Sequence, residues 1–185
     1  IANKAERLSD LERLGLLRYY NTAGSRVHFP LDPNPTANTS PLASHAETYN
    51  FALLDGRRIT PTSRARRNNA GSSIIQARIG DERHAGEIRN IFIHRQEGIP
   101  DSSQTVLAAI EWMKRSEFTP LDVSTFIWDD FPELGVETWE LDIFIDPHSN
   151  YPPIIMPLAD VHCQLCRGRI IHTEPQLWMT ATMDR

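Results

Sequence analysis

The chain has 185 residues, of which 40% are hydrophobic and 23% charged, and its formal net charge is -5. This length and composition predict one globular domain, and they exclude two full-sized domains, a disordered chain and a membrane-spanning helix. The acidic balance argues against nucleic-acid binding over the whole surface, although a local basic segment can still bind. We expect no membrane partner. Because the chain opens on Ile1 rather than methionine, we also expect it to be a piece of a larger protein.

An amphipathic helix is predicted near the N-terminus, over residues 4–20. Ser9, followed by acidic residues, is typical of a helix start. Four leucines recur at nearly helical spacing with charged residues between them: Leu8, Leu11, Leu14 and Leu17. We assign residues 1–28 to this helical segment. Residues 29–48, which are rich in proline, are predicted to be a linker.

The remainder, residues 49–185, is predicted to be a β domain. Its apolar segments are rich in Val, Ile, Phe and Trp and are separated by Gly, Pro, Asp and Asn clusters. The predicted strands are 49–54, 72–79, 86–94, 105–113, 136–144, 159–166 and 168–173. This spacing predicts a mainly β fold, a barrel or a sandwich, with long loops and the N-terminal helix attached.

The strand 105–113 carries Trp112 near its outgoing end, just before Arg115 and Glu117. Both faces of the strand are mainly apolar, which predicts a central strand that is buried on both sides. The tryptophan either caps the core or forms the shoulder of a docking groove with its outer face presented. We take the groove as the hypothesis and keep the core position as the alternative.

Three segments in order, "HAGEIRNIFIH", "TVLAAIEWMKRSEF" and "WELDIFIDPHSNYPPIIMPLADVHCQLCRGR", resemble the bromo-adjacent homology (BAH) domain of chromatin proteins. Trp112, Arg115 and Glu117 match the middle motif of that family. The last motif is approximated by Glu140, Phe144, His148, Pro152, Pro153, Ile155 and Cys163. Three departures are Met113, which replaces an aromatic residue, the displaced acidic residue of the first strand, and a long insert at 119–137.

The BAH resemblance implies a β-rich, non-catalytic and nuclear module that docks a protein or a histone-tail peptide. Some family members hold methyl-lysine in a cage of aromatic faces. In this chain the resemblance places Trp112 in such a cage, with Phe118 and Phe144 as further walls. Glu117 or Asp146 would form the acidic edge. A further aromatic position of the family falls near His84, so a complete and an incomplete cage both stay open.

A local cluster of arginines supports an alternative function, a DNA-binding accessory domain. "FALLDGRR" and "WDDFPELGVETWE" resemble accessory segments of transposase-like proteins from basidiomycete fungi, which implies a mobile-element protein. The candidate DNA-binding residues are Arg57, Arg58, Arg64, Arg66 and Arg67, because arginine contacts phosphate oxygens bidentately. The simpler interpretation is a solvated hairpin loop.

The segment "HCQLCRGRIIH" contains residue types that bind zinc: His162, Cys163, Cys166 and His172. In an extended strand, however, residues three apart point to opposite faces, so two thiols in one strand are the preferred interpretation and no metal is expected. The sequence has no Gly-x-Ser-x-Gly elbow, phosphate-binding loop or dinucleotide fingerprint. We therefore expect neither enzymatic activity nor a cofactor.

Overall fold

The computed structural model is mainly β and describes residues 4–66, 71–117, 135–171 and 174–183. In chain order the elements are β1 (Lys4–Arg7), α1 (Asp10–Thr22), β2 (Val27–His28), β3 (Ser40–Pro41), β4 (His45–Thr48), β5 (Ala52–Leu54), β6 (Arg57–Ile59), β7 (Ile74–Ile79), β8 (Glu82–Ile93), β9 (Val106–Arg115), β10 (Glu137–Phe144), β11 (Ile155–Pro157), β12 (Val161–Ile170) and β13 (Leu177–Thr182). Short 3-10 helices lie at Thr62–Arg64, Pro100–Ser103 and Leu158–Asp160.

Six antiparallel strands close into a barrel in the order β7–β8–β9–β10–β13–β12, and β12 returns to pair with β7. Closure satisfies the backbone hydrogen bonds that open sheet edges would leave exposed. The predicted fold class, a mainly β barrel with a helix near the N-terminus, is confirmed.

Three strands extend the sheet beyond the barrel. A β-bulge at Arg89, between the paired residues Ile88 and Asn90, interrupts the register of β8 against β9. Before the bulge β8 pairs with β7, and at its end it pairs with β4, which in turn pairs with β1. β11 pairs with the first half of β9. Residues 29–48, predicted to be a linker, therefore contribute β4 to the main sheet.

Alternating side chains divide the apolar core between the two faces of the barrel wall. One cluster draws on all six barrel strands and so fills the interior: Ile74, Ala85, Met113, Trp139, Cys163 and Leu165, with Phe144 and Trp178 at its margin. A second cluster lies on the other face of β7 and β9 and includes Ile75, Ile88, Ile110 and Trp112. A third joins the sheet to α1 through Leu8, Leu16, Tyr20, Phe92 and Leu107.

The N-terminal helix packs on the barrel. Ser9 has extended backbone angles and forms a capping box with Glu12, so α1 begins at Asp10 and the residues before it form β1. Gly15 lies against the 154–155 segment, where an added Cβ would be 2.5 Å from Cγ1 of Ile155. Within the described ranges, no helix combines the length and hydrophobicity that a membrane crossing requires.

Candidate functional site

Trp112 lies in the core, with only 2% of its surface exposed. Its Nε1–H donates to the backbone oxygen of Pro153 over 2.8 Å. Gly86 lies opposite it on β8, and a Cβ there would be 2.9 Å from the tryptophan ring. The ring is covered, so the outer face that we expected beside Arg115 and Glu117 is not presented.

The other residues proposed for an aromatic cage are dispersed. Phe144 packs on the barrel-interior cluster, and the guanidinium carbon of Arg89 lies 5.7 Å from its ring centroid. Glu117 borders a separate hollow on the outside of β10. Phe118 lies outside the described residues. Of these residues, the structure brings Trp112 and Asp146 to one cavity.

That cavity, which we call the α1 cleft, is open to solvent and has a volume of about 580 Å³. It lies between the start of α1, β9 and the segment that follows β10. Its lining comprises residues 6–9, Leu11, Glu12, Ser63, Arg89, Asn90, residues 109–112, Ile145, Asp146, Pro147, Pro152, Ile154 and Ile155. Apolar and charged side chains therefore share one concave surface, as in many binding sites.

Two of the four carboxylates that line the cleft are held in ion pairs. The bulged residue Arg89 contacts Glu111, which lies on the neighbouring strand β9. Arg64, from the 3-10 helix after β6, contacts Glu6 on β1. These pairs join the sheet to the segments around it and neutralise part of the charge of the cleft.

The other two carboxylates, Glu12 and Asp146, are bound by neutral donors. Glu12 accepts hydrogen bonds from the Ser9 backbone N–H over 2.7 Å and from Asn90 Nδ2 over 2.8 Å. Asp146 Oδ1 accepts from the backbone N–H of His148 over 2.9 Å. Neither carboxylate forms an ion pair with another residue in the described part of the chain.

Hydrogen bonds from Arg18 on α1 connect the two sides of the cleft. The Arg18 guanidinium donates to the backbone oxygens of Pro147, His148 and Ser149 over 3.3, 2.8 and 2.7 Å. Since these carbonyls directly follow Asp146, the segment that carries Asp146 is tied to the helix that carries Glu12. The cleft is therefore formed before any ligand binds.

His84, near which the resemblance placed a further aromatic, lies behind Trp112 rather than in the α1 cleft. Its ring is edge-on to Trp112 and to Tyr151, with centroid distances of 5.9 and 5.4 Å. Nε2 lies 3.3 Å from both the Tyr151 hydroxyl and Glu82 Oε2. Burial lowers the pKa of His84, and this effect outweighs the opposing effect of Glu82.

The structure separates the candidate DNA-binding arginines. Arg58 lies in the β5–β6 hairpin, and its guanidinium carbon is 4.2 Å from the Phe51 ring centroid. Arg57 donates to the backbone oxygen of Met183, and Arg64 is held by Glu6. Arg66 is exposed, and Arg67 lies outside the described residues.

The candidate zinc ligands are also divided. Cys163 is buried, whereas His162 and Cys166 are exposed on the same strand, β12. His172 lies outside the described residues. Among the residues that the structure describes, no group of three or more His, Cys, Asp or Glu side chains is arranged to hold a metal ion.

Sequence reasoning pointed to Asp146 but missed most of the cleft, above all Leu11, Glu12 and Asn90. Ser9 was noted as a residue typical of a helix start, but this local signal does not indicate that the helix start borders a cavity. Together, fold and cleft define a closed six-stranded β-barrel with a helix packed on its side and a preformed surface cleft. Searches against family models, curated proteins and solved structures each gave no significant match.

Proposed function

We propose that this protein is a non-catalytic interaction module that docks a short segment of a partner protein in the α1 cleft. The observation that carries the proposal is the cleft itself, a preformed cavity of about 580 Å³ with apolar and charged lining. The resemblance to BAH domains gives the finer proposal, a nuclear module with a chromatin protein or a histone tail as its partner.

The rigidity of the cleft supports docking. Arg18 ties the helix to the 147–149 backbone, and the close packing of Gly15 on Ile155 holds the helix against the sheet. A preformed surface orders fewer of its own groups on binding, so more of the interaction energy remains as affinity. Leu11, of which 40% is exposed, provides apolar surface at the edge.

Four polar side chains of the cleft are already engaged in structural roles. Ser9 and Glu12, a hydroxyl and a carboxylate in contact, form the capping box of α1. Arg89 and Glu111 pair across neighbouring strands. These contacts favour a binding role for the cleft over a catalytic one, and the proposal therefore assigns no reaction and no cofactor.

The alternative proposal, a DNA-binding accessory domain of a mobile-element protein, has weaker support. The arginines on which it depends do not form one surface, because Arg57 and Arg64 bind other parts of the protein. Arg58, next to the exposed Leu53, is the part of the hairpin that best fits a DNA contact.

A peptide selection tests the docking proposal. A phage-displayed library of random heptapeptides is selected on the wild-type protein, and the enriched peptides are titrated by fluorescence polarisation. Leu11→Asn should weaken them about fivefold or more, since it places a polar amide on the apolar edge of the cleft without changing the charge of the cleft. The matched control is Leu31→Asn, at a leucine that is 94% exposed and does not line the cleft. No enrichment, or equal binding by both variants, would refute the proposal.

A further inference from the structure

We infer that the α1 cleft selects a segment in which an unmodified lysine or arginine stands next to an apolar residue. This inference rests on the proposed docking function and adds the chemistry of the ligand. The inference rests on two carboxylates that line the cleft, Glu12 and Asp146. Neither has a cationic partner in the described part of the chain, and the exposed apolar side chain of Leu11 lines the same cleft.

The charges that line the cleft favour a cation. Four acidic side chains line it against two arginines, Arg7 and Arg89. Arg89 is paired with Glu111. Glu6 is paired with Arg64, which does not itself line the cleft. The remaining charges are the carboxylates of Glu12 and Asp146 and the exposed Arg7, so the cleft has an excess of one negative charge.

The two carboxylates retain capacity to accept hydrogen bonds. A carboxylate has two oxygens with about four acceptor positions. The hydrogen bond to Asp146 is made by one backbone N–H, at Oδ1, which leaves Oδ2 available. Glu12 accepts from the neutral donors of Ser9 and Asn90. An ammonium or guanidinium group supplies the missing donors together with the opposite charge.

The preference for an apolar residue next to the cation is inferred from the surface beside these carboxylates. Leu11 precedes Glu12 in the first turn of α1 and is partly exposed, and Pro147 follows Asp146 in the opposing segment. Ala109, Pro152 and Ile154 add apolar lining. A neighbouring apolar side chain of the ligand would cover this surface, which water otherwise contacts.

Recognition by carboxylates differs from recognition by an aromatic cage. Trp112 is covered by its neighbours, and Phe144 does not line the cleft, so the described residues offer no open ring face at this place. Trimethylation keeps the charge of lysine but removes its three hydrogen-bond donors. The unmodified side chain should therefore bind at least as tightly as the trimethylated one.

The experiment uses an immobilised positional-scanning library of heptapeptides that includes lysine, arginine, trimethyl-lysine, norleucine and glutamate at each position. The expected result is a position that prefers lysine or arginine, with an apolar preference at its neighbour. Asp146→Asn and Glu12→Gln should each reduce that preference about fivefold, because both amides keep the shape of the side chain. The control is Asp101→Asn, an exposed carboxylate outside the cleft, which should change nothing.

The possible results separate the inference from the proposal on which it rests. Selective peptide binding that depends on Leu11 but shows no preference for a cation would refute the inference and leave docking intact. A strict requirement for trimethyl-lysine would also refute it. No selective binding at any position would overturn both.

Discussion

The guanidinium of Arg167 lies over the ring of Trp178, with its central carbon 4.2 Å from the ring centroid, and it also pairs with the carboxylate of Glu87. Trp178 lies on β13, the neighbour of β12, whereas Glu87 lies on β8, which is separated from β12 by β7. The ion pair therefore reaches past one strand of the barrel. Glu87 is 7% exposed and lies 3.3 Å from Arg89 as well. The barrel interior thus contains a compensated charge beside its apolar cluster.

Truncation of Arg167 should destabilise the barrel. Arg167→Ala leaves the buried carboxylate of Glu87 with Arg89 alone and removes the stacking on Trp178, which together should lower the free energy of unfolding by about 2 kcal/mol. Urea denaturation measures the change. The matched control is Arg169→Ala, at an exposed arginine two residues along β12, which should stay within about 0.5 kcal/mol of the wild type. Equal effects of the two substitutions would contradict this account.

Substitution of Gly15 by alanine should destabilise the protein although alanine favours helices. In an exposed helix interior this change stabilises by about 1 kcal/mol. Here the new Cβ would lie 2.5 Å from Ile155 and 2.7 Å from Ile154, so the helix must move off the sheet. We expect a net loss of about 1–3 kcal/mol. A thermal melt that shows a higher Tm for Gly15→Ala would rule out the close packing. The control is Thr22→Ala, in the exposed last turn of α1.

Five of the six barrel strands, and β5 outside the barrel, could be predicted because alternation and β-branched content are local signals. The short strands β1, β2, β3, β4, β6 and β11 were not predicted. The helix start was placed too early, because Leu8 fits the helical spacing although it lies before Ser9, the N-cap of α1. Leu8 is buried in the cluster that joins α1 to the sheet. The segments 159–166 and 168–173 were predicted as two strands, yet β12 is one continuous strand from Val161 to Ile170. Gly168 lies within it and faces Met179 at a distance that leaves little room for a Cβ. β13 was missed because its burial does not alternate from residue to residue.

The cleft could not be predicted from local patterns. Its lining combines the helix start, a β-bulge and the 145–155 segment, which are far apart in the chain. The bulge at Arg89 arises from the register between β8 and β9 and has no signature in the sequence. Burial of Trp112 was one of two interpretations, and the tertiary contacts at Gly86 and Pro153 decided between them.

Trp112 should behave as a core residue in mutagenesis. Trp112→Ala should lower the free energy of unfolding by about 3–5 kcal/mol, because it leaves a cavity among packed side chains. Trp112→Phe retains most of the packing and loses the hydrogen bond to Pro153, at a cost of about 1 kcal/mol. Guanidinium denaturation separates the two variants. An unfolding midpoint of Trp112→Ala that matches the wild type would show that the ring is not packed as described.

The arginines should differ in their effect on DNA binding. The affinity for duplex DNA should not exceed the non-specific range, with Kd no tighter than about 10⁻⁶ M. Arg58→Ala should lower the slope of log K against log salt by about one unit if the hairpin contacts a phosphate. Arg64→Ala should leave the slope unchanged, because Arg64 is paired with Glu6. Fluorescence polarisation at several salt concentrations measures both. Sequence-selective binding at nanomolar Kd would favour the DNA-binding alternative.

Acid should destabilise the protein through His94. The imidazole is fully buried, and its Nε2–H donates to the backbone oxygen of Ala43 over 2.9 Å. Because the proton is then on Nε2, Nδ1 accepts a hydrogen bond from the Tyr20 hydroxyl, also over 2.9 Å. Burial lowers the pKa of His94 below its ordinary value, and a smaller opposing effect comes from the Ala43 carbonyl. The unfolded chain therefore binds this proton more readily than the folded protein does.

The stability that neutral His94 provides is present above the unfolded pKa of about 6.5 and is lost as the pH falls toward the lower folded pKa. Burial also lowers the pKa of His84, so its protonation in acid opposes folding in the same way. Tm measured from pH 8 down to pH 5 should fall mainly below about pH 6.5. His94→Gln cannot take up this proton and should reduce the slope in that interval, whereas His45→Gln, at an exposed histidine, should keep it. A wild-type Tm that is constant over this interval would contradict the burial of a neutral imidazole.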